Sequence, residues 1–442
     1  MKIRLSDHFT YRKLLRFVFP SITMMIFSSI YGVVDGLFIS NYVGKTPFAA
    51  VNLAMPVIML FSATGFLFGT GGSAIVAEQL GEKHTQNAKQ IFTMLTYVLV
   101  IISLFLTSLG ETILPRALRV LGANDEMMPH GLLYGRILLV GIAPFCLQNY
   151  FQSLFVTAGK PHLGLACTVA AGIINMFGDW FTMGFLGTGV SGAAIATVLS
   201  ACVGGFVPVF YFARHNSSNL SFVRARINWH AVAKTCTNGV SELMSTLSGS
   251  VVNMLYNLQL MRYIGEDGVS AYGVIMYTLF IFIAFFIGYS MGSAPIVSYH
   301  YGAGNTDELK NLCRKSLHLI SIFAGLITAS AFLLAPELSR LFVSYDHDLY
   351  VLTVHAFRLV SLCYLFIGFN VFASSFFTAL GNGLISGIIS FLRMFLFDMA
   401  GVLILPLFLG VDGIWLSAMA SELCALAVSA FCLVKYRKVY RY

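Results

Sequence analysis

The chain has 442 residues, of which 57% are apolar and only 10% charged, with a mean hydropathy of +0.80. Soluble domains carry roughly 25% charged residues, so a soluble globule is excluded. The formal net charge of +8 would suit a nucleic-acid partner, but the basic residues lie mainly between apolar runs, where they report membrane orientation instead.

In chain order, the basic N-terminus up to Arg16 leads into an apolar stretch too long for a signal peptide and without a small-residue cleavage site, so it opens the first span. Apolar runs between Gly, Pro and charge breaks then predict twelve membrane helices, at residues 14–40, 50–77, 91–110, 132–157, 163–185, 190–213, 233–261, 269–298, 316–335, 351–380, 384–409 and 413–434. An even number of spans puts both termini on one side. That side holds 19 of the 27 Lys and Arg residues and the other only five, which makes the termini cytoplasmic. The longest connection is polar and basic and separates six spans from six. The expected organisation is an N-lobe over 1–213, a cytoplasmic linker over 214–232 and a C-lobe over 233–442.

The halves resemble each other. Gly44 aligns with Gly265, Ala50 with Ala271, Gly71 with Gly292, Gly81 with Gly302 and Lys89 with Lys310, all at an offset of 221. The offset is 222 at Phe155/Phe377 and Gly159/Gly381, then 221 again at Gly192/Gly413. The expected fold class is therefore an all-α integral membrane protein with twelve transmembrane helices in two pseudo-symmetric six-helix lobes. Six is even, so the copies form a parallel repeat about an axis along the membrane normal, and two such lobes can rock about a central site.

Charge inside the spans needs a reason, because each buried charge costs about 2.5 to 3.5 kcal/mol on insertion scales. The spans hold five carboxylates, Asp35, Asp179, Glu242, Asp398 and Glu422, together with Arg393. Asn175 and Asp179 are four apart and share a face of the fifth span, about 6 Å apart along its axis. If Asp35 converges on them, two carboxylates in a low-dielectric site cannot easily both stay ionised. A cation neutralises them or they hold a proton, which is the simplest physical basis for cation coupling. Arg393 and Asp398 are about 140° apart around their helix and do not pair, leaving Glu422 and Glu242 as candidate partners for Arg393. Pro20 removes a backbone hydrogen bond inside the first span and is a hinge candidate.

Other motifs carry no chemistry. Gly187 to Gly192 fits GxGxxG but follows an apolar helix rather than a strand, and no GxxxxGK[ST] sequence exists for an ATP-driven motor. The eight cysteines are scattered with no CxxC pair, so packing is expected rather than disulfides or a metal framework. The ten histidines lie largely at span ends or in loops, where solvated or hydrogen-bonded rings are expected. No cofactor is expected, and no metal beyond Na⁺ as a transported ion.

The residues Phe19-Pro20, then Tyr31-Gly32-Val33-Val34-Asp35-Gly36-Leu37-Phe38-Ile39-Ser40 followed by Val43-Gly44, resemble the opening signature of the multidrug and toxic compound extrusion (MATE) family. Asn175 through Asp179, with Gly192-Ala193-Ala194-Ile195-Ala196-Thr197, are similar to that family's fifth and sixth helices. Arg393, Leu405-Pro406 and Gly413-Ile414-Trp415 with Glu422 resemble its bacterial MepA-like and DinF-like branches. The resemblance covers essentially the whole chain. It implies a V-shaped pair of lobes in the cell membrane, with a central cavity, exporting organic cations or other amphipathic compounds in exchange for Na⁺ or H⁺. It places the coupling-ion site on Asp35, Asn175, Asp179 and Thr197, and sets Glu242 where NorM-like members carry a carboxylate for coupling or cationic substrate. Two features depart from the family pattern. Trp180 follows Asp179 where proline is frequent, and residues 351–380 contain no Asp or Glu, so no NorM-type C-lobe Na⁺ site is expected.

The expected activity is thus secondary antiport by a monomer, with small amphipathic substrates and membrane lipids as partners and no nucleic acid. Glu242, Arg393, Asp398 and Glu422 are the C-lobe candidates for substrate or coupling. One alternative keeps the fold and moves lipid-linked cargo, which would favour cavity cations, of which only Arg393 lies deep. Another is an intramembrane transferase, which would need clustered His/Asp or His/Glu chemistry that the dispersed acids do not supply.

Overall fold

The computed structural model describes residues 3–344 and 346–442. Lys2 and the side chain of Lys45, both counted toward orientation, lie outside the described residues, as do Met1 and Tyr345. The helices are α1 (Tyr11–Tyr42), α2 (Lys45–Gly81), α3 (Thr85–Val120), α4 (Met127–Val140 and Ile142–Thr157), α5 (Pro161–Phe185), α6 (Val190–Ala213), α7 (Trp229–Tyr263), α8 (Glu266–Gly302), α9 (Thr306–Val343), α10 (His347–Ser361 and Tyr364–Ala379), α11 (Gly383–Leu409) and α12 (Val411–Tyr440). Twelve spans were expected and twelve are present, most of them longer than the apolar runs. Polar caps outside the hydrocarbon carry the helices further. Asn228 accepts from the His230 and Ala231 amides and starts α7 four residues before the predicted boundary. Asn305 does the same for α9 by accepting from the Glu308 amide.

Among the described residues, nine helices and two bent pairs are long and apolar enough to cross a membrane. The twelfth, α7, falls short because Thr235, Asn238, Ser241, Glu242 and Ser245 interrupt it. One face of it packs against α2 and α11, while Leu247, Val251, Met254 and Leu258 are exposed on the other.

Two spans expected as single helices are broken, α4 by 54° and α10 by 45°. In α4, Pro144 follows the Gly141 break and cannot donate an amide hydrogen bond back to Val140. In α10, the Ser361 hydroxyl donates to the Arg358 carbonyl at 2.7 Å and competes for the backbone there. Gly141 and Leu362 are 221 residues apart, so the breaks occupy equivalent places in the repeat. By contrast α1 runs through Pro20 without interruption.

The duplication is visible in the backbone. α2 and α8 begin and end at the same offset of 221, and the turns before them use Gly44 at φ +82° and Gly265 at φ +91°, a left-handed conformation that favours glycine. The halves meet along α1–α8, α2–α7 and α2–α8. Gly81 and Gly302 set a close crossing of α2 and α8, since a Cβ on the first would run into the Tyr299 carbonyl and one on the second into the Glu78 carbonyl. Small residues let helix backbones approach where lipid supplies no hydrophobic drive for association. Beside this crossing Lys234 of α7 donates to Glu78 of α2 at 2.9 Å.

One buried core belongs to the first half. Phe92, Phe151, Phe155 and Phe212 pack in it, and Phe222 of the 214–228 connection stacks on Phe92 with ring centroids 5.1 Å apart. The connection is therefore pinned to α3. A second core gathers residues of the other half, yet includes Leu5, Phe9, Leu14 and Phe17 from the chain's beginning. The Phe9 amide donates to Glu308 at 2.9 Å and Lys315 donates to the Phe9 carbonyl at 2.6 Å. This docked segment buries His300, edge-on to Phe9 at 6.4 Å, so that histidine lies inside the protein instead of at a solvated end.

Candidate functional site

Three helices of the first half bring four polar side chains together. Asp35 comes from α1, Asn175 and Asp179 from one face of α5, and Thr197 from α6. The Asn175 amide donates to Thr197 Oγ1 at 3.3 Å and, in a long and weak bond, to Asp35 Oδ1 at 3.5 Å. Thr197 donates in turn to the Ala193 carbonyl at 2.9 Å. Asp179 faces Asp35 within Coulombic range. Asn175 is 1% and Asp179 0% exposed, while Asp35 and Thr197 are half-buried, so the cluster is buried on its α5 side and partly open on the others. Tyr31, one turn before Asp35, and the buried Tyr134 lie in Coulombic range of the acids. Tyr31 can sit there because Gly172 leaves room for its ring.

The cluster holds more acceptors than donors. Asn175 Oδ1 and both oxygens of Asp179 are buried and receive no hydrogen bond. Buried oxygens without partners are rare because each leaves a desolvation cost uncompensated. Directly after Asp179 the helix widens into a π-helical stretch over Trp180–Phe185, a distortion often found at functional sites. The helix thus departs from α-helical hydrogen bonding at Trp180 without the proline frequent at that place.

The acids of the second half are arranged differently. Glu422 of α12 pairs with Arg393 of α11 at 3.7 Å between Nε and Oε1. The Asn370 amide donates to Glu422 Oε2 at 2.7 Å and to its carbonyl at 2.8 Å, and Ser429 holds Asn370 by donating to Oδ1 at 2.8 Å. Asp398 accepts from the Tyr256 hydroxyl at 3.0 Å, which also bonds Ser417 at 2.7 Å. Glu242 is half-buried on α7, in Coulombic range of Arg393. A second π-helical stretch, Leu392–Phe397, carries Arg393 and ends before Asp398.

A family model described as MatE matches residues 20–181 and again 243–404. The chain belongs to the MatE family. Among MATE relatives, the multidrug export protein MepA of Staphylococcus aureus (strain MSSA476) is 21% identical over 94% of this chain and 92% of its own. MepA of Staphylococcus haemolyticus is 22% identical over 94% and 91%. A MATE protein solved in complex with MaL6 superposes with a TM-score of 0.93 at 20% identity, covering 98% of both chains. An outward-facing multidrug resistance MATE transporter of the MOP superfamily gives 0.92 at 21%, over 98% and 97%. The fold is that of twelve-helix MATE transporters, in a multi-pass membrane protein.

Of the sequence candidates, the structure brings Asp35, Asn175, Asp179 and Thr197 into one cluster and Arg393, Glu422 and Glu242 into another. Asp398 forms no ion pair with Arg393, as their angular separation implies, but lies in Coulombic range of both Arg393 and Glu422. Sequence reasoning missed Tyr256, Asn370 and Ser417. Asn370 had a signal, as an amide alone in the apolar run 351–380, whereas Tyr256 sits among the many polar residues of α7 and had none.

Proposed function

We propose that this MATE protein is a secondary antiporter of the cell membrane, exporting amphipathic or cationic organic compounds in exchange for H⁺ or Na⁺. Residues 1–213 and 233–442 act as two lobes joined by the linker 214–232, with both termini cytoplasmic. The observation that carries the coupling is the surplus of buried acceptors, Asn175 Oδ1 and the two Asp179 oxygens, facing Asp35. A monovalent cation or a proton supplies the missing positive charge, with Asp35 and Asp179 as charge partners and Asn175 and Thr197 as neutral ligands. Its arrival and departure change how closely α1, α5 and α6 can pack, and α1 passes that change to the other half through α8. The names of the MepA relatives, which describe multidrug export, support this class of cargo.

Lipid-linked anionic cargo finds less support, because Arg393, its deep cation, is already paired with Glu422. The test is efflux of a fluorescent organic cation from proteoliposomes under Na⁺ and pH gradients imposed separately. Efflux must follow at least one gradient. Transport indifferent to both would overturn antiport.

A further inference from the structure

Where α6 ends, a groove of about 690 Å³ opens on the protein surface. Its walls divide by polarity. Val207 and Phe210 form one side, continuing the exposed apolar stripe of Ile195, Leu199 and Phe206 along the membrane face of α6. Arg214, His215, Asn216 and Ser217 form the other, on the side of the protein where most Lys and Arg residues lie. Arg214 is four residues beyond Phe210, where the helix stops and the chain becomes extended.

The polar rim is built rather than loose. Asn216 donates to the carbonyls of Tyr211 at 3.4 Å and Arg214 at 3.2 Å, and its own side-chain oxygen accepts from the Ser218 amide at 2.9 Å. Those bonds occupy carbonyls at the helix end that would otherwise repel an anion. Lys160 reaches across from the start of α5 to donate to Ser217 at 2.7 Å. Arg214 has no ion-pair partner among the described residues. Tyr211 lines the groove, and its hydroxyl is buried with no hydrogen-bond partner among the described residues.

We propose that this groove binds the head group of an anionic phospholipid. The phosphate lies on Arg214 with the Lys160 ammonium nearby, the Tyr211 hydroxyl donates to a phosphate or ester oxygen, and one acyl chain follows Phe210 and Leu199 along α6. The apolar half of the groove selects a lipid over free phosphate. Basic pockets beside membrane helices recognise anionic head groups in this way.

Native mass spectrometry of the full chain in detergent, with phosphatidylglycerol or phosphatidylcholine added, tests the site. One phosphatidylglycerol is retained in preference to phosphatidylcholine. Arg214→Gln lowers that retention about fivefold, Arg214→Lys keeps it, and Lys435→Gln, a cation over the Phe431 ring on α12, leaves it unchanged. A photoreactive phosphatidylglycerol labels the 207–217 peptide of the unmodified protein, a readout independent of how the variants fold. Equal retention of the two lipids, equal losses in Arg214→Gln and Lys435→Gln, labelling confined to other peptides, or displacement by millimolar inorganic phosphate would each overturn the proposal.

Discussion

Replacing Asp35 by asparagine removes one of two facing carboxyl groups while keeping its size and most of its hydrogen bonds. Two unit charges about 4 Å apart interact by about 4 kcal/mol at an effective dielectric of about 20. The attraction between a bound cation or proton and Asp35 has the same scale, equivalent to about a thousandfold in affinity. Asp35→Asn should therefore weaken ion binding by roughly that factor and abolish gradient-driven efflux from proteoliposomes, while substrate binding measured without a gradient persists. Thermal unfolding guards the interpretation. Removing one of two like charges from a partly buried site should leave the unfolding temperature unchanged or higher, so a lost activity cannot be assigned to a lost fold. Asp179→Asn should act in the same direction, because Asp179 supplies the other charge. Undiminished gradient-driven transport in Asp35→Asn would refute the reasoning.

Asn370→Ala removes two short bonds to buried Glu422 and should cost about 1.5 to 3 kcal/mol, read as a lowered unfolding temperature in detergent. Gly81→Leu drives a side chain into the Tyr299 backbone, so the halves must separate there; spin-label distances across α2–α8 should lengthen, and unchanged distances would contradict the close approach. Lys234→Glu alone sets two acids together where an ion pair stood at 2.9 Å, and should raise the accessibility of a cysteine placed beside this crossing. Adding Glu78→Lys should restore the original accessibility, whereas a double variant as accessible as the single one would show that the pair does not hold the crossing.

How much of this was legible in the sequence depends on which physical signal each feature leaves. Spans are legible because lipid demands long apolar runs, and the duplication because Gly44/Gly265 and Gly81/Gly302 meet backbone requirements that recur at a fixed spacing. The Asn175–Asp179 pair is legible because helical periodicity puts both on one face. Their meeting with Asp35 and Thr197 depends on how α1 and α6 pack, which no local spacing encodes, and here the family resemblance supplied the grouping. The breaks in α4 and α10 escaped notice because apolar residues continue through them. Nothing near Phe9 announced that the first residues belong to the core of the other half, since Phe9 reads locally as one apolar residue in a polar lead.

The two halves share a backbone plan but use their buried acids in opposite ways. In the second half Glu422 has an arginine and an amide and Asp398 has a tyrosine hydroxyl, so both have partners supplied by the protein, while Glu242 has only the nearby charge of Arg393. A group satisfied in this way contributes to packing and gains little from a passing ion. In the first half, Asp179 has no donor on either oxygen and faces another acid. Breaking the symmetry of partners, while keeping the symmetry of helices, concentrates the demand for an external positive charge on one half. The other half, into whose core the start of α1 packs, meets the first most closely where glycines stand in both copies of the repeat, as at Gly81 and Gly302.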